Sequence, residues 1–283
     1  MGDPLKNLLD LLDLEELEVN IFRGVSPKED RQRVFGGQVA GQALVAAGRT
    51  VAHGQVHSLH CYFLRPGDPK VPILYEVDRI RDGRSCSTRR VVAIQHGRAI
   101  FNLDASFHTQ ERGLAYSAPM PEVPPPESLP PFKERVQAYL NDIGSWAERE
   151  RPIDLRLCDP LDRPPREWRE PATAVWMRAD GRLPDDPMLH ACVLAYASDL
   201  TLLDVTVRPH GLVWSPERKL MMASLDHAMW FHRSFRADDW LLYAQTTPAS
   251  AGGRGFATGS IFTRDGALVV SVAQEGLIRQ LEG

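Results

Sequence analysis

The sequence predicts an α+β protein made from one unit used twice. Each unit is an antiparallel sheet wrapped round a central helix, and the two sheets join edge to edge. Three observations lead there. A strand, a helix rich in small residues and a four-strand meander occur once before residue 112 and again after residue 173. Short hairpin signals punctuate both meanders, at Asp82-Gly83, His96-Gly97 and Asp265-Gly266. The two meanders also run in step: His60-Cys-Tyr-Phe-Leu-Arg65 lies beside His227-Ala-Met-Trp-Phe-His232, and Leu74-Tyr75 beside Leu242-Tyr243, an offset of 167 to 169 residues. So little drift over a whole meander indicates an internal duplication. The expected organisation is a first repeat over 1–112, a proline-rich connector containing a helix over 113–172, and a second repeat over 173–283.

Taken in order, residues 5–18 read as an acidic amphipathic helix and 18–23 as a strand. Phe35 to Gly48 reads as a second helix whose glycines each cost about 1 kcal/mol against alanine. Close contact with a sheet is the expected return. Strands follow at 56–65, 72–81, 84–96 and 99–109. Prolines from Pro119 to Pro131 and from Pro152 to Pro171 break regular structure, with a helix expected over 132–150 between them. Strand 174–178 then precedes helix 187–199, whose alanines allow close approach. Strands at 220–233, 239–248, 253–264 and 267–279 complete the second meander.

Composition removes several function classes. The 283-residue chain carries a net charge of −4, which gives no basic footprint for nucleic acid. Its four cysteines (Cys61, Cys86, Cys158, Cys192) show no CxxC spacing and read as reduced thiols. The N-terminal leucines are interrupted by acids and lack a basic leader, so they do not read as a signal peptide. No 18-residue apolar run is counted, so no membrane span is expected. A cytoplasmic location follows as the simplest expectation.

Motif tests narrow the chemistry. No G-x-S-x-G elbow exists; the nearest stretch, Gly83-Arg-Ser-Cys-Ser87, sits in a hairpin. No Walker loop exists, and the glycines of 252–259 begin a strand instead of linking a strand to a helix. His53, His57 and His60 cluster without a carboxylate or cysteine at ligand spacing, so neither a metal nor another cofactor is expected. His57 stays a candidate for catalysis because histidine titrates near neutrality.

Two polar residues stand where apolar ones belong. Met188, Cys192 and Ala195 recur at i, i+4 and i+7 of the second helix, and the next member of that stripe is Asp199. Leu268, Val270 and Val272 share one strand face, and Gln274 continues it. A buried carboxylate or amide is costly unless something holds it, so each is either a structural polar group or part of a site. The repeat sharpens the choice. Gln274 matches Ala105, Ser224 matches His57, and Asp199 falls opposite about Gly48. The first repeat lacks the polar set, so any site occurs once per chain.

The segments Phe35-Gly-Gly-Gln38, His57-Ser-Leu-His60, Tyr62-Phe-Leu-Arg-Pro-Gly-Asp68, Arg81-Asp-Gly83, Tyr196-Ala-Ser-Asp199, Leu225-Asp-His-Ala-Met-Trp-Phe-His-Arg233, Trp240-Leu-Leu-Tyr243 and Gln274-Glu-Gly276 resemble the acyl-CoA thioesterase II, or TesB-like, family. The resemblance covers nearly the whole chain. It implies a double-hotdog fold, acyl-CoA as substrate, and a catalytic Asp, hydroxyl and Gln that fall on Asp199, Ser224 and Gln274. Many members carry Thr where this chain has Ser224; the hydroxyl is kept and the β-branch that restricts χ1 is lost. The resemblance also implies a homodimer or higher homo-oligomer.

The expected reaction is hydrolysis of a fatty acyl-CoA to fatty acid and CoA, with Asp199 as general base toward a water that Ser224 and Gln274 position. Two other readings stand beside it. A hotdog enoyl-CoA hydratase needs an Asp–His pair, and Asp226 and His227, being adjacent on a strand, face opposite ways. A non-catalytic acyl-CoA-binding protein would keep the fold without turnover.

Overall fold

The computed structural model of the chain describes residues 3–27, 32–137, 151–164, 167–212 and 220–280. Helix α1 (Pro4–Leu12) is capped by Asp3, whose carboxylate accepts from Leu5 N at 3.0 Å, and it buries Leu5, Leu8, Leu11 and Leu12. It stops six residues short of the expected end. The leucine stripe ends at Leu12, and Arg49 reaches across to hold both the Asp13 carboxylate and the Leu14 carbonyl. The acidic run beyond becomes strand β1 (Glu15–Glu18), which turns through Asn20 at φ 64° into β2 (Ile21–Gly24). A short, charged and fully exposed strand is a safe one to leave at a sheet edge.

The central helix of the first half, α2 (Gly36–Arg49), leads to the meander β3 (Gln55–Phe63), β4 (Ile73–Asp82), β5 (Cys86–Gln95) and β6 (Arg98–His108). The connector is not uniformly irregular. Phe132–Gln137 is a short helix, α3, and Ile153–Leu157 forms an edge strand, β7. The rest of the helix expected over 132–150 lies outside the described residues. The second half follows with β8 (Ala172–Ala179), α4 (Pro187–Ser198), a 3-10 helix (Leu202–His210), β9 (Leu220–Ser224), β10 (Asp226–Phe231), β11 (Leu241–Ala251), β12 (Arg254–Thr263) and β13 (Leu268–Gln280).

Among the described residues these strands form one antiparallel sheet in the order β1-β2-β4-β5-β6-β3-β10-β13-β12-β11-β8-β7, with β9 also on β13. The halves join where β3 pairs with β10, Ala228 facing His60. Edge-to-edge joining is therefore real, and each half wraps one helix. The single strand expected over 220–233 is kinked. At Leu225 the chain bulges between β9 and β10, and the Asp226 carboxylate accepts from Glu275 N at 2.7 Å to seal the break.

Two expectations about the helices need correction. Gly37, Gly41 and Gly48 of α2 do not face a sheet. A Cβ at Gly37 would strike the Tyr196 carbonyl, one at Gly41 would lie 3.2 Å from the Cys192 carbonyl, and one at Gly48 would strike the Met188 side chain. Their return is an antiparallel, backbone-close contact with α4. Nor does α4 have one buried stripe. His190 through Ala195, with Ala197 and Ser198, are all buried, because the sheet covers one side of α4 and α2 the other. That also bears on the membrane expectation. Pro187–His210 is long and apolar enough by composition to cross a bilayer, but most of it is buried inside the protein, where a core helix lies.

Candidate functional site

The site forms where the N-terminus of α2 meets the C-terminus of α4. Helix α4 ends at Ser198, and Asp199 is its C-cap residue. The N-cap of α2 is Phe35, whose side chain accepts no hydrogen bond and so leaves the first N–H groups uncapped from within. The Asp199 carboxylate, from the other half of the chain, sits against this uncapped end, where the Gly37 backbone N–H favours its ionised form. Gly37 is the second residue of the helix, the position that an N-cap side chain ordinarily serves. Glycine is required here by space. A Cβ at Gly36 would lie 2.7 Å from Asp199 Oδ2 and 2.8 Å from the Phe63 ring.

Sheet residues complete the cluster. Ser224, the last residue of β9, donates from Oγ to Asp199 Oδ1 at 3.1 Å. Gln274 lies on β13 with its side chain fully buried. Its Nε2 donates to Asp199 Oδ1 at 2.6 Å and to Ser224 Oγ at 3.0 Å. Since the amide NH2 must face the carboxylate, Oε1 points elsewhere, and it is buried with no hydrogen-bond partner. The three residues expected from the sequence are thus brought together.

Burial pushes the Asp199 carboxyl up to about 6, against the Gln274, Ser224 and Gly37 hydrogen bonds and the positive charge of Arg33, which favour ionisation. Asp199 as a whole residue is partly buried. Five residues on, Asp204 is also raised, to about 7, by crowding from surrounding protein; Arg208 opposes this and the Asp199 charge adds to it. Asp204 itself remains exposed to solvent.

The ladders fix how the two halves correspond. His60 faces Ala228 at the junction; Asp104 pairs with His60 and Ala273 with Ala228, so Gln274 matches Ala105 as expected. Val56 pairs with Phe107, and Ser224 with Gly276, which matches Ser224 to Val56. The expected matches of Ser224 to His57 and of His227 to His60 are both off by one: the offset along this strand is 168, which sets exposed His60 against Ala228 and not against buried His227, and the bulged residues His57 and Leu225 coincide. At the corresponding end of the helix pair, Gly48 packs on Met188 where Asp199 meets Gly37. The mirror cleft is therefore Gly48, Val56, Ala105 and Met188, without a polar side chain. There α4 is capped by its own Asp186, which accepts from Met188 N at 2.9 Å.

His57 does not join the cluster. It bonds Ser106 Oγ at 2.8 Å and sits edge-on to His108, beside the mirror cleft. The Asp226–His227 pair splits as expected: Asp226 binds Glu275 N, while His227 turns inward to Ser198 Oγ at 2.8 Å and is held neutral by burial, at about 4. Among the described residues, no three His, Cys, Asp or Glu side chains gather as a metal site. Sequence reasoning missed Gly36, Gly37, Phe63 and Arg33. The available signal was a helix starting at Phe-Gly-Gly, with no residue able to cap it.

Comparison with known proteins decides the family. Residues 26–108 match the model of the acyl-CoA thioesterase N-terminal domain and residues 167–277 that of acyl-CoA thioesterase. Acyl-coenzyme A thioesterase 8 of Mus musculus is 44% identical, over 99% of this chain and 91% of its own. The chain belongs to the acyl-CoA thioesterase family. An acyl-CoA thioesterase II from Mycobacterium marinum has a solved structure that is 47% identical with a TM-score of 0.81, over 98% of this chain and 99% of that one. A hot dog-fold protein of Alicyclobacillus acidocaldarius, 21% identical with a TM-score of 0.79 over 98% of this chain and 99% of its own, speaks to the fold alone. This acyl-CoA thioesterase is a double hotdog of TesB-like type, and it hydrolyses acyl-CoA thioesters. Neither the hydratase nor the binding-protein reading is favoured.

Proposed function

We propose that Asp199, Ser224 and Gln274 carry the hydrolysis, by direct attack of water on the thioester carbonyl. Asp199 takes the proton of the attacking water. Its raised carboxyl, about 6, makes it a stronger base than an ordinary aspartate while leaving it mostly ionised at neutral pH. Gln274 Nε2 and Ser224 Oγ hold Oδ1 in place. The unpartnered Gln274 Oε1 is the acceptor available for the water's second proton. Collapse of the tetrahedral intermediate expels CoA thiolate, a good leaving group that needs no strong acid. The first-turn N–H groups of α2 beside Gly37 present the positive end of a helix to the developing oxyanion.

The observation that carries this reading is the carboxylate of Asp199, held by Ser224 and Gln274 from the second half and set against the first turn of the first half's helix. Thiol release from a series of acyl-CoA chain lengths tests it. Asp199→Asn, Ser224→Ala and Gln274→Ala should each lower kcat, Asp199→Asn most. Wild-type rates in Asp199→Asn would refute the assignment of the base.

A further inference from the structure

We propose that Arg33 recognises the phosphate-bearing half of coenzyme A, gripping a phosphate at the rim of the Asp199 cleft. The proposal rests on the acyl-CoA reading of the same site. Arg33 lies three residues before Gly36, at the entry to α2, and its Nη2 donates to the Met222 carbonyl at 2.7 Å. Met222 is on β9, two residues before Ser224. The guanidinium therefore bridges the two walls that deliver Gly37 and Ser224 to Asp199, and its charge is felt by that carboxylate.

The side chain is exposed, and among the described residues no carboxylate pairs with it. Arg23, Arg90 and Arg254 are also exposed, and each holds a carboxylate, from Glu15, Asp104 and Glu275. One hydrogen bond engages one of five guanidinium donors, so Arg33 is anchored at one corner and leaves a fork facing solvent. A planar fork of that kind matches a phosphate bidentately, as an ammonium does not.

Charge gives the reason for such a residue. Acyl-CoA brings a pyrophosphate and a ribose phosphate to a chain of net charge −4. The site it approaches holds Asp199, whose charge is also felt by Asp204. A fixed cation at the rim offsets this repulsion and orients the anionic half outward, leaving the thioester to face Asp199.

The competing role for Arg33 is a tie that satisfies the Met222 carbonyl, and the experiment separates the two. Affinity for CoA and for pantetheine, which lacks every phosphate, is measured by calorimetry on wild type, Arg33→Gln and Arg33→Lys. KM is measured for an acyl-CoA and for the same acyl thioester of pantetheine. Arg33→Gln should weaken CoA about tenfold more than pantetheine and raise the two KM values in the same ratio, with Arg33→Lys intermediate. Added salt should weaken CoA binding to wild type more steeply than to Arg33→Gln. Equal losses for CoA and pantetheine, or none for either, overturn the proposal. If wild type binds CoA but releases no thiol, the thioesterase reading fails instead, and the binding comparison still judges Arg33.

Discussion

Replacing Asp199 by Asn should make the protein more stable and nearly inactive, and the gain in stability should depend on pH. In the folded chain the Asp199 carboxyl titrates at about 6 against an ordinary value of 3.8, chiefly through burial. At 1.36 kcal/mol for each pKa unit, the ionised form costs the folded state up to about 3 kcal/mol. The sign follows from proton binding. Between about pH 4 and 6 the folded chain keeps a proton that the unfolded chain has released, so stability falls as pH rises through that window. Above it the full cost applies. Asparagine carries none of this cost. Its oxygen still accepts from Ser224, and a flipped Gln274 amide can accept from its NH2. Asp199→Asn should therefore gain about 2–3 kcal/mol at pH 8, a rise of about 4–12 °C in Tm, and nothing below pH 4. Thermal unfolding followed by circular dichroism at pH 4 and pH 8 measures it. The same variant should lose about 10²–10⁴-fold in kcat. An Asn variant less stable than wild type at pH 8, or a Tm difference that ignores pH, would refute the claim that the fold holds this carboxylate at a cost.

Other outcomes follow from the same geometry. The acid limb of kcat/KM should have its midpoint at about pH 6, where Asp199 ionises, and a midpoint near 4 in a pH-rate profile would contradict the raised carboxyl. Gln274→Leu removes two donors from the cluster, so the limb should move to higher pH and the plateau should fall. Gly37→Ala places a methyl against the Tyr196 carbonyl and the Phe35 ring. It should cost about 1–3 kcal/mol in chemical denaturation and lower kcat, because the helix start that packs on Asp199 must shift. Ser224→Thr should keep most of the wild-type rate in a thiol-release assay while Ser224→Ala does not, since the hydroxyl is what Asp199 and Gln274 contact.

The sequence by itself determined the duplication, the helix-in-sheet unit and the identity of the polar outliers. Those features are written in local periodicity: alternation fixes which face of β13 Gln274 occupies, and helical spacing places Asp199 at the end of α4. The asymmetry between the halves was also legible, because a residue-by-residue match sets Ala105 against Gln274 and Gly48 against Asp199. Pairing across space was not legible. Two histidines of like residue type but opposite face, His60 exposed and His227 buried, set the match one residue out, so Ser224 was matched to His57 when the ladders match it to Val56. The glycines of α2 announce a close approach without naming the neighbour, which proved to be α4 and not a sheet. The acidic run after Leu12 suits a helix by composition, but a tie from Arg49 and a turn at Asn20 make it a strand. Above all, only the tertiary structure showed that the acid ending one half's helix sits against the uncapped start of the other half's helix. That contact joins residues more than 160 positions apart, and no local pattern records it.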